Sequence, residues 1–353
     1  MTRRFVISLE VIAAAVMSAA MTSCFESEPN TYLRSLRNVD KMIIKPLDSV
    51  SLSDIDEFLA SNIVKADDWL IMRGDSRATF HLLFYNINTR EHFLALRKGR
   101  GPGEVIQPTT LVKYENRTLI YDQDKKILFE INIPETERTK IASMDTVAAF
   151  GEDFTKPLKL ACCGKYGYIT TNVTDPDTWY SYSDWSGNVL SSVQAFEDKD
   201  LSDDADTRMS HLLSSVMVSN PSGTKSCVAN IVFPAISFSS IEDGKLTEYK
   251  RYTFPAMGFR NTHVTDETIR NFYCLQADEK YVYALYSGNK LRGGSLPSWE
   301  SRHLIVYDWS GEPVRHFILQ RNITNFFLEG YKLYCDSSYP DFNVYVYDLE
   351  GYL

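Results

Sequence analysis

Between residues 97 and 105 the chain reads RKGRGPGEV, the stretch whose residue types and spacing come nearest to chemistry. Gly99, Gly101 and Gly103 can turn backbone N–H groups toward an anion, and Arg97, Lys98 and Arg100 add positive charge beside them. A nucleotide loop follows its glycines with a Lys-Ser/Thr pair, and a dinucleotide fingerprint opens a helix. Here Glu104 and Val105 follow, and no helix is expected. Two readings stay open. The stretch is a sharp structural crossing of the chain, or it is a crossing that also touches a ligand. The first is favoured, because glycines tolerate unusual dihedrals and Pro102 biases Gly101 away from the helical region.

Other candidate chemistry is sparse. The six histidines show no HxxxH or HxH spacing, so the sequence offers no preformed zinc site. Residues 197–207, EDKDLSDDADT, are strongly acidic. A calcium loop places glycine where Asp203 stands and ends on a glutamate, so this run reads as a solvated loop. No GxSxG is present for serine hydrolysis. No catalytic residue and no cofactor is assigned. Apart from Cys24, five cysteines remain: Cys162, Cys163, Cys227, Cys274 and Cys335. An odd count cannot pair fully, and neighbours such as Cys162 and Cys163 bridge only with strain. Buried thiols are expected, with one disulfide as the alternative.

The elements that must position these residues come from a repeat. The chain has 353 residues and is 13% aromatic, mostly Tyr and Phe, which favours strands. Six segments share one form, in which two alternating apolar runs flank a short polar turn. They start at His81, Lys126, Trp179, Ile236, His303 and Asn343. Their turns begin near Asn86, Glu130, Asp184, Ser240, Asp308 and Asp348, where Asp, Asn and Gly suit tight hairpins. Two further strand-like runs precede most of these hairpins. Four strands repeated six times predict an all-β, six-bladed β-propeller with antiparallel blades.

The ends of the chain fit that reading. The sixth unit stops at Leu353, one strand short, while KMIIKPL at 41–47 has no unit of its own. Residues 41–47 are therefore expected to complete the last blade and close the ring, leaving no open edge. SLSDIDEFLASN, from Ser51, is expected to hold a short helix. RKGRGPGEV then falls between the last strand of blade one and the first of blade two. A long Gly/Ser/Pro connection at 287–301 falls between the second and third strands of blade five, on the same face. Arg292, Trp299 and Arg302 there, with Arg97, Lys98, Arg100, Gly101, Gly103 and Glu104, make up the candidate ligand-face loops.

The amino terminus gives an address. Arg3 and Arg4, an apolar run from Val11 to Ala20, and Met21-Thr22-Ser23 before Cys24 read as a secretory signal ending at a cysteine. The start resembles a bacterial lipoprotein signal, in which Cys24 becomes the acylated first residue. The expected organisation is a signal at 1–23, a lipidated tether at 24–39 and a propeller at 40–353. Losing Arg3, Arg4 and Glu10 with the signal moves the net charge from −9 to −10, with 35 basic residues against 45 acidic. Such a chain is a poor partner for nucleic acid, whose affinity rests largely on neutralised phosphates.

With its lipoprotein-like start, Gly99-Arg100-Gly101-Pro102-Gly103-Glu104 and the following TLIYDQDKKILFEI, the chain resembles a family of Bacteroidota lipoproteins. These are six-bladed propellers, TolB-like or of the NHL-like group, and the resemblance spans residues 40–353. It implies a propeller held at the cell envelope by a lipid anchor, in the inner or outer membrane, and it implies no established activity. The expected function is a binding or scaffolding module for a protein, peptide or glycan. The alternative is a lactonase- or lyase-like enzyme with a metal at the central axis. A cluster of inward Asp, Asn, Glu or His from several blades would mark it.

Overall fold

Each repeat unit folds as one sheet of antiparallel strands, because its runs of β-branched and aromatic residues are joined mostly by short polar turns. In this computed structural model the described residues are 31–52, 55, 60–74, 79–151, 159–164, 167–171, 178–194, 215–232, 235–253, 269–290, 300–337 and 342–353. Residues Val39–Leu353 form one compact unit. A five-residue helix, Thr31–Ser35, precedes it. The signal, Cys24 and the acidic run 197–207 lie outside the described residues, as does half of the segment from Ser51 where a short helix was expected; of the rest, Ser51 ends one strand and Ala60, Ser61 and Asn62 begin another.

Six sheets form six blades. Their first strands are Ala60–Ala66, Pro108–Tyr114, Leu160–Cys163, Ser215–Ser219, Phe272–Ala277 and Asn325–Glu329. Each meets the first strand of the next blade, all the way around the ring. The core is correspondingly divided into layers between blades. One layer joins blades five and six through Tyr283, Val306, Phe326 and Tyr345. Another joins blades three and four through Trp179, Tyr180, Val228 and Ile241. Middle strands are buried on both faces, so they read as nearly unbroken apolar runs, such as Tyr281–Tyr286. Polar bolts cross these layers. The Tyr180 hydroxyl lies 2.7 Å from both Ser237 Oγ and Ser239 Oγ, and Trp179 Nε1 donates to Ser215 Oγ at 3.0 Å.

The ring is closed by an N-terminal strand, but by residues 48–51 and not by the expected 41–47. Asp48–Ser51 is the fourth strand of the last blade, antiparallel to Asn343–Asp348. Leu47 and Leu52 extend the pairing, their N–H groups donating to Val346 O at 2.7 Å and Phe342 O at 2.8 Å. Lys41–Ile44 instead lies parallel to the outer strand of blade five and gives that blade a fifth strand. Pro46 stands between the two short strands, where a residue without an N–H ends one ladder before the next begins.

A second correction concerns blade two. The unit that starts at Lys126 was expected to turn near Glu130 and continue as a second strand. The strand Ile127–Ile131 leads instead into a helix, Ile133–Thr139, and the fourth strand is Met144–Ala149. Asn132 caps the helix by accepting from Glu135 N at 3.1 Å, and Pro134 sits in its first turn, where no N–H is needed. The other turns fall close to their expected places. In blade four the tip is Asp243-Gly244, whose φ angles of 50° and 76° suit a two-residue hairpin.

All five cysteines outside the signal region are free and buried. The structure also brings together two histidines that the sequence scatters. His303 Nδ1 and His316 Nε2 are 3.0 Å apart on the outer strands of blade five. Burial, then repulsion from His303 and Lys41, pushes the pKa of fully buried His316 down to about 3. An unfolded histidine takes up its proton near pH 6.5, roughly the ordinary value. The stability held by neutral His316 is thus complete above that pH and is lost on acidification toward its folded value. The slope is at most about 1.4 kcal/mol per pH unit. Urea melts between pH 7.5 and 5 should show this loss, and His316→Asn should flatten it. An unchanged slope in the variant would show that His316 is not its source.

Candidate functional site

The crossing from blade one to blade two is built as an anion cradle, and the anion is its own Glu104. The Gly101 N–H donates to Glu104 Oε2 at 2.8 Å. A Cβ on Gly99 would lie 2.0 Å from that oxygen, and one on Gly101 would lie 3.0 Å from it. The glycines were expected to serve unusual dihedrals. Only Gly103 does so, with φ at 72°. Gly99 and Gly101 are needed because the carboxylate fills the space a side chain would take.

The rest of the crossing is pinned from both blades. Val105 N donates to Arg97 O, Gly99 N to Val105 O and Lys98 N to Thr79 O, at 3.0–3.1 Å. On the blade-one side, His81 Nε2 donates to Val105 O at 3.1 Å, and burial lowers the pKa of His81 and keeps it neutral. On the blade-two side, Lys125 Nζ donates to Glu104 O at 2.7 Å and Gly101 O at 3.3 Å. The fully buried Asp122 carboxylate accepts from Ile106, Gln107, Asp124 and Lys125 N–H groups. Asp122 and Lys125 belong to the YDQDKK turn, so one turn fixes both its own hairpin and the incoming chain.

The remaining sequence candidates scatter. Arg97, Lys98 and Arg100 are exposed on the crossing, with Arg97 lying over the Phe80 ring at 5.8 Å. Arg302 sits on the third strand of blade five, where its Nε donates to Leu319 O at 3.0 Å. Arg292 and Trp299 lie outside the described residues. Among the described residues, no three His, Cys, Asp or Glu side chains come together as a metal site would need.

What sequence reasoning missed is the axis itself. The first strands enclose a cavity of about 260 Å³, to which every blade contributes. Asn62, Thr109, Lys159, Ser219, Tyr273 and Asn325 represent the six blades in order, and Arg73 enters from the second strand of blade one. Lys159 is its most perturbed member. Burial, then repulsion from Arg73, pushes its pKa down to about 8, with a lesser opposing pull from Cys274 and a still lesser repulsion from Arg270. Arg270, just ahead of the first strand of blade five, stacks over Tyr273 at 5.1 Å, and burial lowers its pKa too. The signal was present but faint, since several of these polar residues lie within two positions of the start of a first strand.

The family of TolB-like 6-blade propeller-like proteins matches residues 49–330. The chain belongs to that TolB-like propeller family. No curated protein matches it. Among solved structures, this TolB-like ring is similar to the Pan2 WD40 domain of Neurospora crassa, with 10% identity, a TM-score of 0.49, and coverage of 87% of this chain and 95% of that one. It is also similar to a putative exported protein of Bacteroides fragilis, with 12% identity, a TM-score of 0.45, and coverage of 87% and 98%. No helix among the described residues of this TolB-like chain is long and apolar enough to cross a membrane.

Proposed function

We propose that the chain is a cell-envelope lipoprotein whose propeller is a recognition module, and that the face carrying the blade-one crossing is its binding face. The observation behind this reading is convergence. Six blades place polar side chains around one axial cavity, which is how a ring fold concentrates specificity that no single blade holds. The crossing and the long connection of blade five join strands at that same end. Exposed Arg97, Lys98 and Arg100 on the crossing would extend the surface toward a protein, peptide or glycan.

The address rests on Arg3, Arg4, the apolar run and Cys24. Cells fed a labelled fatty acid should transfer it to the protein, and Cys24→Ala should abolish the label and release the chain from the membrane fraction. Equal labelling of the variant would remove the lipoprotein assignment.

A further inference from the structure

Ten large apolar side chains are exposed among the described residues, and five of them gather where the chain joins the ring. Ile43 and Leu47, exposed by 51% and 66%, belong to the joining segment itself. Val314 lies two positions before His316, which pairs with Lys41 and donates its N–H to Asp40 O. The Tyr352 ring sits 6.4 Å from that of Phe317, the partner of Met42 in the parallel ladder. Tyr331 O accepts from Leu349 N, and Leu349 O accepts from Tyr352 N. Leu47 N donates to Val346 O, on the strand that leads to Leu349. These contacts join the five side chains into one region on the rim of blades five and six.

The region lies at one end of the blades. Val314 opens the fourth strand of blade five, and Leu47 immediately precedes that of blade six. Tyr331 is in the turn between the first two strands of blade six, and Tyr352 follows its third. In an antiparallel blade all these points share an end, and the crossings between blades run at the other. Ile43 stands midway up the rim, opposite Ile318.

The chemistry of the patch is that of a water–lipid boundary. Met42 and Ile44 pack into the layer between blades five and six, so that face of the short strand is used by the fold. Lys41, Ile43, Lys45 and Leu47 are all exposed, and cations alternate with apolar side chains along them. Single exposed apolar residues are ordinary on a soluble surface, but a contiguous group marks a contact. Tyrosine and lysine pair an apolar body with a polar tip, which suits them to the headgroup level of a bilayer. Carboxylates are present too. Asp40 is paired with Arg315, and Asp48, Asp348 and Glu350 face Lys41, Lys45 and Lys332 in number, so apolar contact outweighs net charge here.

We infer that this rim rests on a lipid bilayer, with Ile43, Leu47, Val314, Tyr331 and Tyr352 at the headgroup level and the crossing face turned away from it. The occupant follows from the course of the chain. Residues 25–40 separate Cys24 from Lys41, a span of at most about 60 Å when fully extended. An acylated Cys24 would therefore hold this rim within reach of the bilayer. Residues 31–47 also carry Arg34, Arg37, Lys41 and Lys45 against Asp40 alone, a basic stretch in an acidic chain. Such a stretch beside an anchor is drawn to anionic headgroups. The inference rests on the lipoprotein reading of Cys24.

Attached dyes can test the orientation. The five other cysteines are buried, so a maleimide will label a single cysteine placed on the surface. The acylated full chain, labelled at Leu47→Cys, Tyr352→Cys or Arg100→Cys, is reconstituted into vesicles of phosphatidylethanolamine and phosphatidylglycerol. A polarity-sensitive dye at 47 or 352 should shift its emission to the blue and lose intensity to nitroxide-bearing lipid. The same dye at 100, on the crossing, should do neither. Ile43→Glu with Leu47→Glu should return the dye at 352 to water while the acyl group keeps the protein on the vesicle. Equal spectra at all three positions, or dyes at 47 and 352 that lipid does not quench, would overturn the inference. A blue shift that needs no lipid and grows with protein concentration would make the occupant a second copy and overturn it as well. A chain without an acyl group would remove the lipoprotein reading and this one together. An acylated chain on vesicles with both rim dyes in water would sink the orientation alone.

Discussion

A chain that begins at residue 53 should fail to fold cooperatively, whereas one that begins at residue 47 should still close its ring. The first loses the whole fourth strand of the last blade, Asp48–Ser51, with the flanking bonds from Leu47 and Leu52. It also withdraws Leu52, buried in the layer that joins blades one, two and six. Burying one leucine stabilises by roughly 1.5–3 kcal/mol, and each ladder bond adds about 0.5–1.5 kcal/mol. Together they approach the whole stability of an ordinary domain, about 5–15 kcal/mol. The strand left bare, Asn343–Asp348, would then be an open edge inviting aggregation. Besides the helix Thr31–Ser35, which both truncates lack, the longer truncate loses the fifth strand of blade five, whose own four strands remain paired. Melting and light scattering of both truncates check this. Indistinguishable behaviour would show that Asp48–Ser51 does not hold the ring together.

Gly99→Val should be the most damaging single change in the crossing. Its Cβ alone would fall 2.0 Å from a carboxylate oxygen and 2.6 Å from Glu104 Cδ. Glu104 cannot simply turn away, because it would abandon the Gly101 N–H and disturb carbonyls that Lys125 holds. Overpacking of this kind costs roughly 1–3 kcal/mol, occasionally more. Gly101→Val, with its nearest contact at 3.0 Å, should cost less. Gly103→Val meets no atom within 4 Å and should lose only the price of a positive φ, roughly 1–2 kcal/mol. Arg97→Ala and Arg100→Ala, both exposed, should lie within about 1 kcal/mol of the parent. The decisive comparison is a double-mutant cycle. Glu104→Ala is destabilising alone, yet it should recover much of the loss in Gly99→Ala by emptying the space. Strict additivity would show that the carboxylate does not dictate the glycine.

The sequence carried the architecture because the repeat depends on local chemistry. Alternation marks strands, and residues such as Asn86, Asp184, Asp308 and Asp348 mark turns by accepting hydrogen bonds from backbone N–H groups just downstream. Where local chemistry changed, the pattern misled. Asn132, Pro134 and Glu135 are a helix start, and they were overlooked because every other unit places a hairpin there. Ring closure was legible in kind but not in register, since KMII and DSVS are both short and extended, and only packing decides which blade each joins. In the crossing, three glycines were visible, but the reason for two of them was the side chain of Glu104. The axial cations were not legible. Arg73, Lys159 and Arg270 are separated by 86 and 111 positions, and only the closed ring makes them neighbours.

The parallel strand Lys41–Ile44 has a mechanical consequence. It lies upstream of the closure strand and is tied to the outer strand of blade five, with Asp40 paired to Arg315 and accepting from His316 N. Tension applied at the N-terminal end of the chain therefore reaches this short ladder first. The load must shear Lys41–Ile44 from blade five before any of it arrives at Asp48–Ser51. The ring is thus fitted with strain relief, as a cable is clamped ahead of its connector, and a tug on the chain upstream is spent on the outer rim of one blade while the seam of the next stays unloaded.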